Sequence, residues 1–315
     1  MQATLVDVLL ATYNGSRYLE AQLDSILAQT HQDFRVLVSD DGSSDGTLAI
    51  LDRYRSRFGA RLVLVPHPGA GRGVIRNFEN LMAASLQDGM AGWVAFCDQD
   101  DVWLPHKVER TLAEMRRLEG DDGDTVPCVV HTDLTVVDEH LEVLGASFAR
   151  HQRISPGDCS ALTLLSINQV TGCAMMVNRA LLKMALPLPS DTVMHDWWCA
   201  LIGGSGRRSF VDTPLILYRQ HGANQLGAKN RSLVNRLRRL GTDGPGVLRR
   251  VRRLGRETYS QAQALRVRLR ELGLDDGYVA GYLAWRDAPW WRRLANYRKY
   301  YVGPELDRWS RLLFW

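Results

Sequence analysis

A chain of 315 residues with 45% hydrophobic side chains is long enough to bury a substantial core, which excludes disorder along most of its length. It contains no run of about 18 apolar residues, and its N-terminus has no basic start leading into an apolar stretch, so the expectation is a cytosolic chain that does not span a membrane. The net charge of +4 hides an asymmetry: residues from Lys229 onward carry 20 Lys/Arg against 8 Asp/Glu, and the first 228 carry 19 against 27. That division predicts two regions with different partners, 1–227 and 228–315. The five cysteines form no CxxC pair, and buried reduced thiols are their preferred reading.

In chain order, Leu5 to Leu10 reads as a first strand, and the turn Ala11-Thr12-Tyr13-Asn14-Gly15 leads into a helix with Leu19, Leu23, Ile26 and Leu27 on one face. Phe34 to Ser39 is a second strand, followed by Asp40-Asp41-Gly42-Ser43-Ser44-Asp45-Gly46 and a helix through Leu48, Leu51 and Tyr54. Leu62 to Val65 makes a third strand and Trp93 to Cys97 a fourth. This strand–helix alternation predicts a doubly wound α/β sheet over 1–125, the nucleotide-binding half. From 126 to 227, the expected acceptor half, the rhythm weakens: Val129 to Thr132 and Thr135 to Val137 read as two strands with Asp138-Glu139 as a turn, and Leu215 to Tyr218 as a last strand. Beyond Gly227 the pattern is almost wholly helical.

Two carboxylate clusters, Asp40-Asp41 and Asp98-Gln99-Asp100-Asp101, stand directly after apolar strands, where open α/β sheets bind ligands. Gathered in one cleft they would repel each other, so a hard divalent cation, Mg²⁺ or Mn²⁺, bridging them to diphosphate oxygens is the implied cofactor. The first cluster has other readings. Asp41-x-Ser43-x-Asp45-Gly46 matches part of an EF-hand loop, but it follows a strand instead of a helix and ends in Asp52, not Glu. Asp40, Ser43 and Ser44 also suit turn and capping duties. Gly69-Ala70-Gly71-Arg72-Gly73 lacks the Lys-Ser/Thr of a P-loop and follows the third strand, so it reads as a flexible loop offering Arg72 or Arg76 to a diphosphate.

The run Leu10-Ala11-Thr12-Tyr13-Asn14-Gly15, then Tyr18-Leu19, Gln22-Leu23 and Ser25-Ile26-Leu27-Ala28-Gln29-Thr30, then Ser39-Asp40-Asp41-Gly42-Ser43-Ser44-Asp45-Gly46-Thr47, resembles family 2 glycosyltransferases. Asp98-Gln99-Asp100-Asp101-Val102-Trp103 and Lys107 resemble, more narrowly, the bacterial rhamnosyltransferase-like branch. The resemblance covers about residues 5 to 225 and implies a GT-A fold, a doubly wound Rossmann-like mixed sheet, here with a C-terminal helical extension. It implies an inverting enzyme that moves a sugar from a nucleotide-diphosphate donor to a hydroxyl of a glycan or lipid-linked glycan. Rhamnose from dTDP-rhamnose is the first candidate donor and a UDP-hexose the other. By the same resemblance Tyr13 stacks on or flanks the nucleobase with Thr12 and Asn14 beside it, and Asp41 accepts from a uracil or thymine N–H. Arg76 neighbours the donor, Asp98 faces the ribose or deoxyribose with Gln99 beside it, and Asp100 binds the metal. Asp196, in Met194-His195-Asp196-Trp197-Trp198 after Thr171-Gly172-Cys173, matches the catalytic base. It also suits the N-cap of a helix beginning at Trp197, and the two roles can coexist. His221 resembles a late metal ligand, with a hydrogen-bonded structural role as the competing reading. Tyr218 and Arg219 position the donor. Ala11 departs from the Pro or Thr common at its position, which leaves the choice of sugar open.

The tail sets Arg236, Arg238, Arg239, Arg249, Arg250, Arg252 and Arg253 beside Leu233, Leu237, Val247, Val251 and Leu254, spacings that build amphipathic cationic helices. Further on come Trp285, Trp290, Trp291, Tyr297, Tyr300, Tyr301, Trp309, Phe314 and Trp315 among Arg292, Arg293, Arg298 and Lys299. Aromatic and cationic side chains together suit an anionic lipid boundary, which predicts a cytoplasmic enzyme held peripherally at the inner face of the cell membrane. A helical bundle or homo-oligomer interface with these aromatics as core is the rival reading. No nucleic-acid-binding module contains these arginines, and nucleic acid is not an expected partner. At the level of function, a sugar nucleotidyltransferase and a non-catalytic glycan-assembly scaffold remain alternatives; Thr12-Tyr13-Asn14 replaces the basic glycine-rich loop of the former, and Asp100 and Asp196 speak against the latter.

Overall fold

The computed structural model describes residues 4–67, 69, 73–152, 154–222 and 233–296, with the backbone alone for 124, 158, 233–248, 250, 251 and 294. Its strands are β1 (Val6–Thr12), β2 (Phe34–Asp40), β3 (Leu62–Leu64), β4 (Trp93–Cys97), β5 (Val102–Trp103), β6 (Cys128–Val137), β7 (Val143–Gly145), β8 (Met175–Asn178) and β9 (Arg207–Arg219). The helices are α1 (Leu19–Leu27), α2 (Thr47–Phe58), α3 (Val74–Asp88), α4 (Lys107–Glu119), α5 (Phe148–Gln152), α6 (Ala161–Leu164), α7 (Arg179–Ala185), α8 (His195–Gly203), α9 (Leu233–Glu271), α10 (Gly277–Asp287) and α11 (Trp290–Ala295).

One mixed sheet runs β3-β2-β1-β4-β8-β6-β9-β5, with β7 pairing on β6. The first four strands of that order are parallel, β8 lies antiparallel between β4 and β6, and β6 and β9 run parallel. Its central strands are apolar runs because helices cover both faces. Alternate residues serve opposite cores: Val8 and Leu10 pack with α1, α2 and α4, while Leu9 packs with α3, α7 and α8.

Three expectations are corrected by this topology. The two strands foreseen at Val129 to Thr132 and Thr135 to Val137 are one ten-residue strand, β6. Its register on β9 shifts around Asp133, whose Oδ1 accepts from the Leu134 and Ala149 N–H groups. The last strand begins at Arg207 instead of Leu215; its first half carries half-buried polar residues and has no apolar run to betray it. Helix α8 begins at His195, with Met194 at the N-cap, so Asp196 stands in the first turn and not at the cap.

The C-terminal helices are continuous with the catalytic core. Ala262, Leu265 and Leu269 of α9 and Val279, Tyr282, Leu283 and Trp285 of α10 are buried in the same cluster as Leu164, Trp197 and Trp198. The Val193 N–H donates to Gln261 Oε1 at 2.9 Å, a further tie. Trp285, foreseen at a lipid boundary, is therefore core, whereas Trp290 and Trp291 are 54% and 53% exposed. Tyr297, Tyr300, Tyr301, Trp309, Phe314, Trp315, Arg298 and Lys299 lie outside the described residues, as do Arg72 and the side chains of Leu233, Arg236, Leu237, Arg238, Arg239, Val247, Arg250 and Val251. Among the described residues no helix is long and apolar enough to cross a membrane.

Candidate active site

Strands β1, β2 and β4 end at one edge of the sheet, with Thr12 opposite Asp40 and Leu10 opposite Cys97. The loops that follow them are laced together. Asn14 takes a left-handed φ of 48°, which Asn tolerates better than most residues. Its N–H donates to Ser43 Oγ at 2.8 Å and its Oδ1 accepts from the Ser44 N–H at 2.8 Å. The Gly15 N–H donates to Thr47 Oγ1 at 2.8 Å, and the Ser16 N–H to Asp45 Oδ2 at 3.0 Å. Burial alone would raise the Asp45 carboxyl, but hydrogen bonds from Thr47 and Ser16 outweigh it and bring the group down to about 2. Asp45 is thus a brace for the first turn and not a calcium ligand of an EF-hand loop.

The adjacent aspartates have different duties. Both Asp40 oxygens are engaged locally: Oδ1 accepts from the Gly42 and Ser43 N–H groups, and Oδ2 from the hydroxyls of Thr12 and Ser43. Asp41 Oδ2 accepts from the Gly73 N–H at 2.7 Å, which fixes the start of α3. Asp41 Oδ1 is buried with no hydrogen-bond partner among the described residues, His67 Nε2 standing 3.4 Å away. It lines a cleft of about 940 Å³, as do Thr12, Tyr13, Asn14, Asp98, Gln99, Asp100, Asp196, Tyr218 and His221. Ten of the twelve foreseen site residues meet in this one space.

Arg76 and Arg219 do not line the cleft. Arg76 is ion-paired with Glu79 on the outer face of α3. Arg219 is buried beneath the second carboxylate loop: its N–H donates to Asp101 Oδ1 at 3.0 Å, its Nε to the Asp100 carbonyl at 2.8 Å and its Nη1 to the Glu139 carbonyl at 2.7 Å. Arg219 therefore shapes the loop that carries Asp98 and Asp100. Gln99 has a comparable task. Its Oε1 accepts from the Tyr13 N–H at 2.9 Å and its Nε2 donates to the Tyr13 carbonyl at 3.0 Å, clamping the first loop to the second. A Cβ on Gly15 would stand 2.2 Å from Gln99 Oε1, so only glycine admits this clamp. Tyr13 itself is 53% exposed at the lip of the cleft.

Negative charge is crowded at the centre. Burial, then Asp100, then Asp196 push the Asp98 carboxyl up to about 7. Burial, then Asp100 and Asp98, push Asp101 well above the usual range, and the Cys173 thiol donates to it. Lys107 lies behind them, its Nζ 3.4 Å from the centre of the Trp103 ring, and burial brings its amine down to about 8. Asp100 Oδ2 lies 2.8 Å from His221 Nε2, with the Tyr18 ring 4.7 Å from the imidazole.

Two donor sets for a cation are distinguishable. Ligand atoms of Asp98, Asp101 and Cys173 lie within 4.8 Å of one another. Asp101 is already committed to Arg219 and Cys173, and burial holds that thiol protonated, so this set suits Mg²⁺ or Mn²⁺ poorly. Asp100 and His221, with Asp98 beside them, present oxygen and imidazole donors to the cleft and fit such a cation.

Asp196 stands across the cleft on α8. Burial raises its carboxyl to about 6, against hydrogen bonds from the Trp197 N–H (2.6 Å), the Gly172 N–H and the Asn168 side chain. A fixed carboxylate with that affinity can accept a proton near neutral pH. Among the lining residues with no role foreseen from sequence are Tyr18, Asn77, Phe78 and His195. Asn77 braces the edge, its Nδ2 donating to the Ser39 and Thr12 carbonyls at 2.9 and 3.3 Å. For His195 the sole signal was its place beside Asp196.

The chain belongs to glycosyl transferase family 2, whose profile matches residues 7–183. A dTDP-rhamnosyl transferase, RfbG of Shigella flexneri, is 25% identical over 242 residues, 74% of this chain and 78% of that one. The putative teichuronic acid biosynthesis glycosyltransferase TuaG of Bacillus subtilis is 33% identical over 111 residues, 35% of this chain and 42% of its own length. Among solved structures, S. aureus TarS 1–349 in complex with UDP-GlcNAc superposes with a TM-score of 0.57 at 17% identity, covering 89% of this chain and 71% of that one. The mannosyltransferase PcManGT of Pyrobaculum calidifontis, in complex with GDP-Man and Mn²⁺, gives 0.51 at 19% identity, covering 98% and 80%. The fold is GT-A and the protein is a glycosyltransferase.

Proposed function

We propose that this enzyme transfers a sugar, with inversion, from a nucleoside-diphosphate donor to a hydroxyl of a glycan or lipid-linked glycan. The observation that carries the reading is Asp196, a buried carboxylate with a proton affinity near 6, facing the same cleft as Asp98, Asp100, His221 and the Tyr13 loop. Tyr13, exposed at the lip, stacks on the nucleobase, and Asp41 Oδ1, which has no hydrogen bond from the described residues, accepts from its ring N–H. That acceptor suits uracil or thymine. Asp98 meets the sugar of the nucleoside, and Asp100 and His221 hold Mg²⁺ or Mn²⁺. When bound, such a cation offsets charge on the diphosphate. Asp196 takes the acceptor's proton as its oxygen bonds to the anomeric carbon; the bond from that carbon to the diphosphate oxygen breaks on the opposite face.

Rhamnose from dTDP-rhamnose is the donor that the name of the Shigella relative supports, with a UDP-hexose as the alternative. Transfer from radiolabelled dTDP-rhamnose and UDP-hexoses, with and without Mn²⁺, tests the reading, and the anomeric configuration of the product tests inversion. Transfer that survives chelation and Asp100→Ala unchanged refutes the metal assignment; retained configuration refutes the single displacement.

The same reading places the enzyme on the cytoplasmic face of the membrane, with Trp290 and Trp291 beside Arg292 and Arg293 at the headgroup boundary. Flotation with anionic liposomes tests this on the full chain and on Trp290→Ala/Trp291→Ala. Equal flotation, or none by either, removes the membrane role and favours a subunit interface for this surface.

A further inference from the structure

His195 is 2% exposed, yet neither ring nitrogen has a hydrogen-bond partner among the described residues. Its ring is stacked on Phe78, centroids 4.0 Å apart, with Phe96 at 5.4 Å. Those two apolar rings fix its orientation and offer it no polar atom. Burial pushes the imidazole down to about 3, so it is neutral, with one N–H to donate and one lone pair to accept. A buried polar group with no partner among the described residues is costly to a fold and calls for an explanation.

The explanation lies in the direction the ring faces. His195 lines the cleft beside Asp196, and both approach the side chain that Gly172 lacks. A Cβ there would stand 3.1 Å from His195 Nε2 and 3.5 Å from Asp196 Oδ2. The imidazole edge and the carboxylate thus meet against Gly172, where the cleft wall carries no side chain and a Cβ would crowd both. Phe78 belongs to α3, the helix whose start is tied to Asp41, so the ring joins the nucleotide-binding wall to the base.

We propose that His195 is a specificity residue that reads a sugar hydroxyl held beside Asp196, the buried imidazole giving or receiving one hydrogen bond that no protein group supplies. This rests on the transferase reading above. The hydroxyl comes from the donor sugar or from the acceptor, and the two arms of the test separate them.

Full-length wild type, His195→Phe and His195→Gln are compared. Phe keeps the stack on Phe78 and removes both nitrogens; Gln restores a polar amide. In the donor arm, calorimetry with Mn²⁺ measures dTDP, dTDP-rhamnose, UDP and UDP-N-acetylglucosamine. The expected result is a roughly 10-fold or greater loss for a nucleotide sugar in His195→Phe, with the bare nucleotide unchanged and part of the loss recovered in His195→Gln. In the acceptor arm, an octyl glycoside series is offered at saturating donor; a rise in acceptor KM of the same size, with donor hydrolysis unchanged, supports the proposal equally. In wild type, the ¹⁵N resonances of the His195 ring shift on adding the sugar-bearing ligand but not the bare nucleotide. This measurement decides the matter even where a variant fails to fold. Unchanged constants in both arms, or ring resonances that ignore every sugar, overturn the proposal. Absence of binding by all four nucleotides refutes the donor reading itself, and this inference with it.

Discussion

Replacing Asp196 with Asn separates the chemistry of the carboxylate from its structural cost. The amide keeps an oxygen that accepts from the Trp197 N–H and cannot take a proton, so turnover falls by about 10²–10⁴-fold, the usual contribution of a general base. The folded carboxyl is raised from 3.8 to about 6, so holding it ionised at neutral pH costs on the order of 3 kcal/mol. The folded state holds this proton more tightly than the unfolded chain, so the group's contribution is least favourable above pH 6 and improves as pH falls from about 6 to about 4. Asp196→Asn is therefore expected to unfold at a higher temperature than wild type at pH 7.5, and to lose that advantage at pH 4.5. The ceiling is about 3 kcal/mol, less whatever the amide forfeits in hydrogen bonds. Wild-type kcat/KM rises with pH to a plateau, half-maximal near 6. Thermal unfolding at the two pH values and initial rates across the range check both halves. A variant that keeps its activity, or one equally destabilised at both pH values, refutes the assignment of Asp196 as a strained base.

Gly15→Ala drives a methyl into Gln99 Oε1 and breaks the clamp on the Tyr13 backbone; weaker binding of UDP or dTDP and a stability loss of about 1–3 kcal/mol are expected, read by calorimetry and urea unfolding. His221→Ala should raise the Mn²⁺ concentration for half-maximal activity by at least the roughly 10–100-fold that loss of an outer partner costs a metal site; an unchanged requirement would remove His221 from the donor set. Leu265→Ala, in the core shared by α9 and the catalytic half, should cost about 2–5 kcal/mol in one cooperative transition. Retention of full stability, or a chain ending at Gly227 that unfolds like the parent, would show that the C-terminal helices are dispensable to that core.

Much of the site was legible because its parts are local. Apolar runs such as Val8-Leu9-Leu10 and Ala95-Phe96-Cys97 announce buried strands, and carboxylates directly after them must stand at the sheet's ligand-binding edge whatever else the chain does. The turn after β2 was equally visible, since Asp40, Ser43 and Ser44 are residue types that brace loops with local hydrogen bonds, whereas the bracing by Thr12, Asn14 and Asp45 was not foreseen.

What depended on tertiary packing was which distant segments share a space. Nothing local announces that β8 inserts antiparallel between β4 and β6, yet that insertion belongs to the sheet that brings Asp196 close enough to raise Asp98. Arg219 looks from sequence like a donor ligand, and only the fold turns it under the loop to hold the Asp100 carbonyl. Trp285 looks like a lipid anchor until α10 packs it against the core. Periodicity reports which face of an element is apolar, but not what covers it; burial of that face is a long-range choice, made when all the elements compete for one another's surfaces. The meeting of His195 and Asp196 against Gly172 exists only after that competition has been settled.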